Sequence, residues 1–139
     1  MNDSELDDFL KQGAWVSKLG THNPDGTIRI TPLWYESTDG VIRFNTFENS
    51  DAVRNLRRDP RASLLVDNTE FPYRGVHFVG EAEVDQEASS PEAIAEMFAR
   101  YRGGYDPALD YANQLVSAGK RVFVRFRPAR RVTWDFAKG

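Results

Sequence analysis

Polar and cationic side chains cluster along one short stretch of the chain, where they could bind a phosphate group. Arg29 lies on a predicted strand, Asn45 and Thr46 end another, and Ser50 precedes a predicted helix that carries Arg54. Hydroxyls, amides and the free backbone N–H groups at a helix start together form an anion site. The sequence contains neither a P-loop nor a dinucleotide-binding glycine motif. The stretch 29–54 therefore predicts a phosphate site of another kind.

Two large aromatic residues, Trp34 and Trp134, are open to two interpretations. Each ends or follows a predicted strand and could simply fill a hydrophobic core. Alternatively, their faces could form the walls of a site for a flat ring, because indoles supply both apolar contact and stacking. The residues themselves leave both interpretations open.

Other kinds of chemistry find little support in the sequence. The two histidines, His22 and His77, lie in different segments without carboxylate companions, and the chain has no cysteine. We therefore predict no metal site. No nucleophile motif or triad pattern is present, so no catalytic residue is predicted. The 21 acidic residues leave acid–base catalysis by paired carboxylates open, although most of them lie in turns, caps and helix faces, where solvation explains them.

Composition predicts a single globular domain over 1–139, since the chain has 139 residues of which 40% are hydrophobic. A net charge of −3 argues against a nucleic-acid partner. No run of about 18 apolar residues is present, so no membrane association is expected. The acidic start of the chain lacks the apolar core of a signal peptide. Together with the lack of cysteine, these features predict a cytoplasmic protein.

Alternation and turn chemistry predict a mainly β protein with flanking helices. Gly80 is expected at a bulge, Pro128 is expected to interrupt the last strands, and Ser4 is expected to cap the first helix. The predicted helices cover 4–13, 51–58, 91–102 and 107–118, and the predicted strands cover 14–21, 27–35, 41–46, 62–67, 73–84, 121–127 and 131–136. Strands 27–35 and 41–46 are expected to pair as a meander. Six or seven strands at this spacing favour a closed or nearly closed barrel.

Several motifs, in this order, resemble the split β-barrels related to pyridoxamine 5′-phosphate oxidase, and most closely the flavin/deazaflavin oxidoreductases among them. The resemblance covers nearly the whole chain. Each motif alone is weak, but their order and spacing are specific. They are Asn23-Pro24-Asp25-Gly26, Arg29-x-Thr31-Pro32-Leu33-Trp34-Tyr35, Phe44-Asn45-Thr46, Arg54 to Val66, Arg74-Gly75-Val76 and Thr133-Trp134-Asp135.

The resemblance implies a homodimer of split β-barrels with two cofactor sites at the interface. The cofactor is FMN or the deazaflavin coenzyme F420, with F420 slightly preferred. The phosphate is expected on the strand–helix region after Thr46, where Arg29 matches a phosphate-binding arginine. The ring is expected along Thr31, Pro32, Leu33 and Trp34, and the partner subunit is expected to contribute Arg74, Gly75, Val76 and Trp134.

Two departures from the family pattern bear on function. Trp34 stands where the oxidase itself has a lysine, which argues against the pyridoxamine phosphate reaction. Asp51 and Ala52 stand where many members carry a basic pair that contacts the phosphate, and Arg54 is expected to compensate. The predicted function is hydride transfer between F420 or FMN and a small planar substrate. The alternative is a dimeric, non-catalytic carrier of a flavin, a heme-like molecule or another flat ligand.

Overall fold

In the computed structural model, which describes residues 1–138, the chain forms seven strands and four α-helices, followed by a short 3-10 helix, Phe136–Lys138. The helices are α1 (Asp3–Gln12), α2 (Asp51–Arg58), α3 (Pro91–Arg102) and α4 (Tyr105–Ala118). The strands are β1 (Ser17–His22), β2 (Ile28–Leu33), β3 (Tyr35–Thr38), β4 (Val41–Phe47), β5 (Arg61–Asp67), β6 (Arg74–Val84) and β7 (Arg121–Asp135). The predicted mainly β class and the upper strand count are confirmed.

One antiparallel sheet contains all seven strands in the order β2-β1-β5-β6-β7-β4-β3. Its two edge strands, β2 and β3, are consecutive in the chain and are separated only by Trp34. The sheet must therefore curl until its edges approach each other, which gives a split β-barrel and confirms the predicted fold.

The same connection overturns the prediction of a single strand over 27–35. β2 pairs with β1, and only β3 pairs with β4, so the chain changes sheet edge at Trp34. Period-two alternation continues through this point, because both halves are extended. Alternation reports local backbone geometry and carries no information about which neighbour a strand joins.

The last two predicted strands are one. β7 runs unbroken past Pro128, which lies opposite Gly80 where the register shifts by one residue. A bulge of this kind tolerates a residue without an N–H donor. The expected bulge at Gly80 is confirmed: a Cβ there would lie 2.2 Å from the Arg127 carbonyl oxygen.

Helix caps explain most of the remaining boundaries. α1 begins one residue earlier than predicted, because Asn2, and not Ser4, accepts the Glu5 N–H at 2.8 Å in a capping box. α2 begins after Ser50 as predicted, with Ser50 Oγ accepting the Val53 N–H. α4 begins at Tyr105, two residues before the predicted start.

Two hydrophobic clusters stabilise the fold. The larger lies inside the curled sheet, against α1 and α2, and includes Tyr35, Phe44 and Phe126. The smaller lies beneath the α3–α4 hairpin and joins it to β7 through Phe123, with Trp34 packed at its edge. Trp34 thus connects the sheet crossover to the helical hairpin. Among residues 1–138, no helix has the length and apolar character needed to cross a membrane.

Candidate functional site

Five of the predicted cofactor residues line one cavity of about 340 Å³. They come from the end of β2 and from β4, which the curl of the sheet brings together: Pro32, Leu33, Trp34, Asn45 and Thr46. The other walls were not predicted and come from the helical hairpin, the residue before β1 and the start of β7: Val16, Phe98, Tyr111, Leu115 and Arg121. The cavity volume is at the small end of the usual range for ligand sites.

A hydrogen-bonded corner holds the sheet crossover in place. The hydroxyl of Tyr101 donates to the Trp15 carbonyl oxygen at 2.7 Å and accepts the Tyr35 N–H at 3.2 Å. The guanidinium of Arg100 donates to the Tyr35 carbonyl oxygen at 2.6 Å. Burial raises the pKa of Tyr101, so its hydroxyl keeps its proton at neutral pH. On the other side of Trp34, the Ser17 hydroxyl donates to the Leu33 carbonyl oxygen at 2.8 Å, so the backbone on both sides of Trp34 is fixed.

The indole of Trp34 is partly core and partly cavity wall. It stacks on Tyr101 at a centroid distance of 4.8 Å and meets the edge of Phe98 at 4.8 Å. Tyr111 approaches it at 5.9 Å. Trp34 therefore packs on the smaller cluster and also lines the cavity. Its role as the wall of a site for a flat ring stays a prediction.

Arg121, at the start of β7, is the only charged side chain among the residues that line this cavity. Only 7% of its surface is exposed. Its Nε donates to Asn45 Oδ1 at 2.9 Å, and its Nη2 donates to the Asn45 carbonyl oxygen at 3.0 Å. On β7, Val122, Val124 and Phe126 belong to the larger cluster, whereas Arg121 and Phe123 lie on the opposite face, which the α3–α4 hairpin covers. Alternation alone does not indicate that this second face is buried.

The predicted phosphate ligands Arg29 and Arg54 converge on a carboxylate instead. Arg29 Nη2 lies 2.9 Å from Asp51 Oδ2, and Arg54 also forms an ion pair with Asp51. Arg54 further donates to the Asn49 carbonyl oxygen at 2.6 Å. Asp51 thus provides the negative charge that a phosphate would otherwise bring. We call Arg29, Asp51 and Arg54 the exposed arginine cluster.

The neighbouring predicted residues also have partners of their own. The Ser50 hydroxyl is engaged as the cap of α2, and Thr31 is half-buried on β2. The side chain of Ala52 is buried against the core, so a lysine at 52 would point away from Arg29 and Arg54. Position 51, and not 52, therefore controls the charge at this helix start.

The remaining predicted residues lie on β6 and β7, away from the first cavity. Gly75 is opposite Trp134, and a Cβ at 75 would lie 2.5 Å from the indole, so only glycine lets the ring lie across the strand. Arg74 lines a different cavity, of about 570 Å³, and donates to Gln12 Oε1 at 3.2 Å. The Val76 side chain is fully buried in the core, which leaves only its backbone for contact with a ligand.

Two other cavities, of about 520 and 780 Å³, contain none of the predicted site residues. Size alone does not identify a ligand site; apolar walls with a few convergent polar groups do. The 340 Å³ cavity has that character and is therefore the candidate site. Residues 1–138 contain no group of three His, Cys, Asp or Glu side chains placed to hold a metal ion.

Comparisons with known proteins agree with this architecture. The family described as pyridoxamine 5′-phosphate oxidase matches residues 3–135. A conserved hypothetical protein from Mycobacterium tuberculosis, Rv2991, is 36% identical, with a TM-score of 0.80 over 99% of this chain and 87% of that one. No curated protein sequence matches significantly. The chain therefore belongs to the pyridoxamine 5′-phosphate oxidase-related split-barrel family.

More distant solved structures share the fold and differ in their stated roles. An F420 reductase is 23% identical, with a TM-score of 0.65 over 90% of this chain and 94% of its own. HutZ, the heme storage protein from Vibrio cholerae, is 15% identical, with a TM-score of 0.68 over 96% of this chain and 93% of its own. At these identities the likeness concerns the fold alone.

Proposed function

We propose that this protein is an oxidoreductase that binds F420 or FMN and transfers hydride between that cofactor and a small planar substrate. The observation that carries the proposal is the convergence of Pro32, Leu33, Trp34, Asn45 and Thr46 on one cavity. The chain crosses from one sheet edge to the other at Trp34, and hydrogen bonds and aromatic packing fix this crossover. The cavity therefore has a preorganised wall.

The residues present fit the ring of such a cofactor better than its phosphate. The cavity offers apolar and aromatic surface with two polar side chains of β4, which suits a flat heterocycle. The exposed arginine cluster lies at the start of α2, where backbone N–H groups are also available. A phosphate can bind Arg29 and Arg54 only if it displaces Asp51 from them or shares them with Asp51.

The bound cofactor would supply the hydride chemistry, and the chain would supply binding, orientation and exclusion of water. Trp34 and Leu33 would bound the ring, and Thr46 would offer a hydroxyl at its edge. Phe98 and Tyr111 would close the cavity from the hairpin side. None of these roles requires a dedicated acid or base, which agrees with a sequence that offers none.

Titration of the purified protein with FMN and with F420, followed by fluorescence, tests the proposal. We expect one of them to bind with a dissociation constant below about 100 μM, corresponding to roughly −5.5 kcal/mol. Failure of both to bind at that concentration would overturn the proposal. The preferred cofactor would then be reduced and offered to planar acceptors, with its absorbance as the readout.

A non-catalytic carrier of a flat ligand is the second candidate. The observation that favours it is the pairing of both arginines with Asp51, which weakens the case for a phosphate-bearing redox cofactor. Titration with heme, followed by visible absorbance, belongs in the same experiment. Tight binding of heme or flavin without turnover of any acceptor would favour the carrier over the oxidoreductase.

We also propose that the protein is a homodimer with a cofactor site at each end of its interface. The outer face of the sheet exposes Ile28, Ile30 and Val132, which are 52%, 62% and 65% exposed in the single chain. A second copy seated there would cover this apolar surface. It would also explain why the predicted partner residues Arg74 and Trp134 lie away from the cavity of their own chain.

Light scattering after size exclusion tests the dimer. We expect twice the mass of one chain for the wild type and a monomer for Val132→Asp. Glu96→Gln, an exposed change on α3, serves as the control and should stay dimeric. A monomeric wild type would overturn this part of the proposal. A cytoplasmic location, which cell fractionation tests, also belongs to the proposal and rests on the cysteine-free sequence.

A further inference from the structure

Arg121 carries a buried positive charge for which residues 1–138 supply no carboxylate. Its acceptors are both on Asn45, one from the side chain and one from the backbone. Within residues 1–138 it forms no ion pair, although thirteen other pairs involving Lys or Arg occur there. A charge removed from water without a counter-ion is costly, so an arrangement of this kind suits a site that an anion enters.

The guanidinium is held in a fixed position by its neighbours. Asn45 is 3% exposed, and its Nδ2 donates to Ser89 Oγ at 2.9 Å, which orients Oδ1 toward Arg121. The ring of Phe47 lies 4.5 Å from the guanidinium carbon. Burial lowers the pKa of Arg121, yet arginine keeps its charge at neutral pH. The site is therefore a preorganised cation.

One edge of this cation remains available. Nε and Nη2 are used by Asn45, whereas Nη1 makes no hydrogen bond with any residue in 1–138. The cavity that Arg121 lines is otherwise mainly apolar and aromatic, with Trp34, Phe98 and Tyr111 in its walls. A ligand that satisfies both features has one anionic group and a flat apolar body.

We propose that this cavity binds a small planar organic acid, whose carboxylate accepts hydrogen bonds from Arg121 while its ring lies beside Trp34 and Tyr111. A cavity of about 340 Å³ has room for one flat ring, so the acid and the ring of the proposed cofactor would compete for it, and the inference names a further ligand of the cavity: unsaturated or aromatic carboxylates. Binding itself requires no cofactor. The cofactor phosphate is a second source of the same anionic chemistry, and the experiment separates the two.

The first arm measures binding of 2-naphthoate and its neutral analogue 2-naphthamide to the cofactor-free protein by calorimetry. We expect the wild type to bind the carboxylate at least tenfold more tightly than the amide, as a charge-assisted hydrogen bond requires. Arg121→Gln should remove this preference, and Arg121→Lys should keep part of it. Arg127→Gln, an exposed change on the same strand, should leave it unchanged.

The second arm compares FMN with riboflavin, which lacks the phosphate. If Arg121→Gln leaves the ratio of their affinities unchanged while it abolishes the preference for naphthoate, the carboxylate assignment stands. If that ratio collapses in Arg121→Gln, the anion is the cofactor phosphate and the carboxylate assignment is overturned. Equal binding of naphthoate and naphthamide by the wild type would also overturn it, whether or not the variants fold.

Failure of this inference is distinct from failure of the proposed function. FMN and F420 titrations of the wild type decide cofactor binding, and the naphthoate titration is made without either. Circular dichroism and thermal melts of Arg121→Gln and Arg121→Lys show whether each variant is folded. Binding of naphthoate by folded Arg121→Gln with wild-type affinity would exclude Arg121 as the anion ligand.

Discussion

The exposed arginine cluster and the buried Arg121 differ in how their positive charge is balanced. In the exposed arginine cluster, Arg29 and Arg54 are 45% and 60% exposed, and both pair with Asp51. Arg121 is almost fully buried and has only amide and carbonyl acceptors. The exposed arginine cluster is already neutralised and well solvated, whereas Arg121 retains a charge that no carboxylate in the described part of the chain balances. Arginines in a sequence therefore indicate an anion site only when their partners are known.

The two sites should also differ in the property that a substitution changes, either the free energy of unfolding or the affinity for a ligand. An exposed ion pair contributes little to the free energy of unfolding, because water screens it. A buried guanidinium depends on every acceptor it has, because an unsatisfied donor in the interior keeps its full desolvation cost. We therefore expect changes near Arg121 to affect stability strongly and changes near Asp51 to affect mainly affinity.

The largest expected effect is on stability, in Asn45→Ala. This change removes the side-chain acceptor of Arg121 Nε and the donor to Ser89 Oγ, so we expect a loss of about 2–3 kcal/mol in the free energy of unfolding. Urea unfolding measures it. Asn49→Ala, at an exposed position, is the matched control and should change little. Equal losses of stability in Asn45→Ala and Asn49→Ala would contradict the expected difference between the buried and the exposed position.

Asn45→Asp should give the buried Arg121 a carboxylate partner, as Asp51 already does for Arg29. A carboxylate at 45 would accept from Arg121 Nε and supply the missing counter-ion. We expect the affinity for 2-naphthoate to fall about tenfold or more, or at least 1.4 kcal/mol, because the cavity loses its net charge. Calorimetry with the folded variant measures this, with 2-naphthamide as the control ligand. Unchanged naphthoate affinity would show that the Arg121 charge does not attract the ligand.

Asp51→Asn should release the exposed arginine cluster for phosphate. The change keeps the shape of the side chain and removes the charge that holds Arg29 and Arg54. We expect FMN to bind about three- to tenfold more tightly, an increase limited by solvent exposure. Flavin fluorescence measures it. Asp59→Asn removes the same charge at the other end of α2 and serves as the control. An equal gain in FMN affinity in this variant would indicate an effect of net charge and not the release of Arg29 and Arg54.

Arg54→Ala should have the smallest effect on stability. Because the side chain is mostly exposed and Arg29 remains beside Asp51, we expect a change below about 0.5 kcal/mol in the free energy of unfolding. Urea unfolding beside Asn45→Ala gives the comparison directly. A loss as large as that of Asn45→Ala would mean that the exposed cluster is structurally important, contrary to its solvation.

Local chemistry determined much of this structure from the sequence alone. Turn residues, caps and alternation located seven strand-forming segments and four helices, and α2 and α3 have their predicted bounds. The bulge at Gly80 was also predictable, because a glycine inside an alternating strand has few other uses. These features depend on residues close together in the chain, so their signals survive without knowledge of the fold.

Only the tertiary structure decided how the segments combine and which charges are paired. The extended run 27–35 divides at Trp34 because its two halves join opposite edges of a curled sheet. Asp51 reaches Arg29 on another element, and the α3–α4 hairpin covers the face of β7 that carries Arg121. Pairing, burial and register are set by packing between distant residues, which leaves no periodic trace in the sequence of either partner. For that reason the sequence could identify five of the ten residues that line the cavity but could not determine where its uncompensated charge lies.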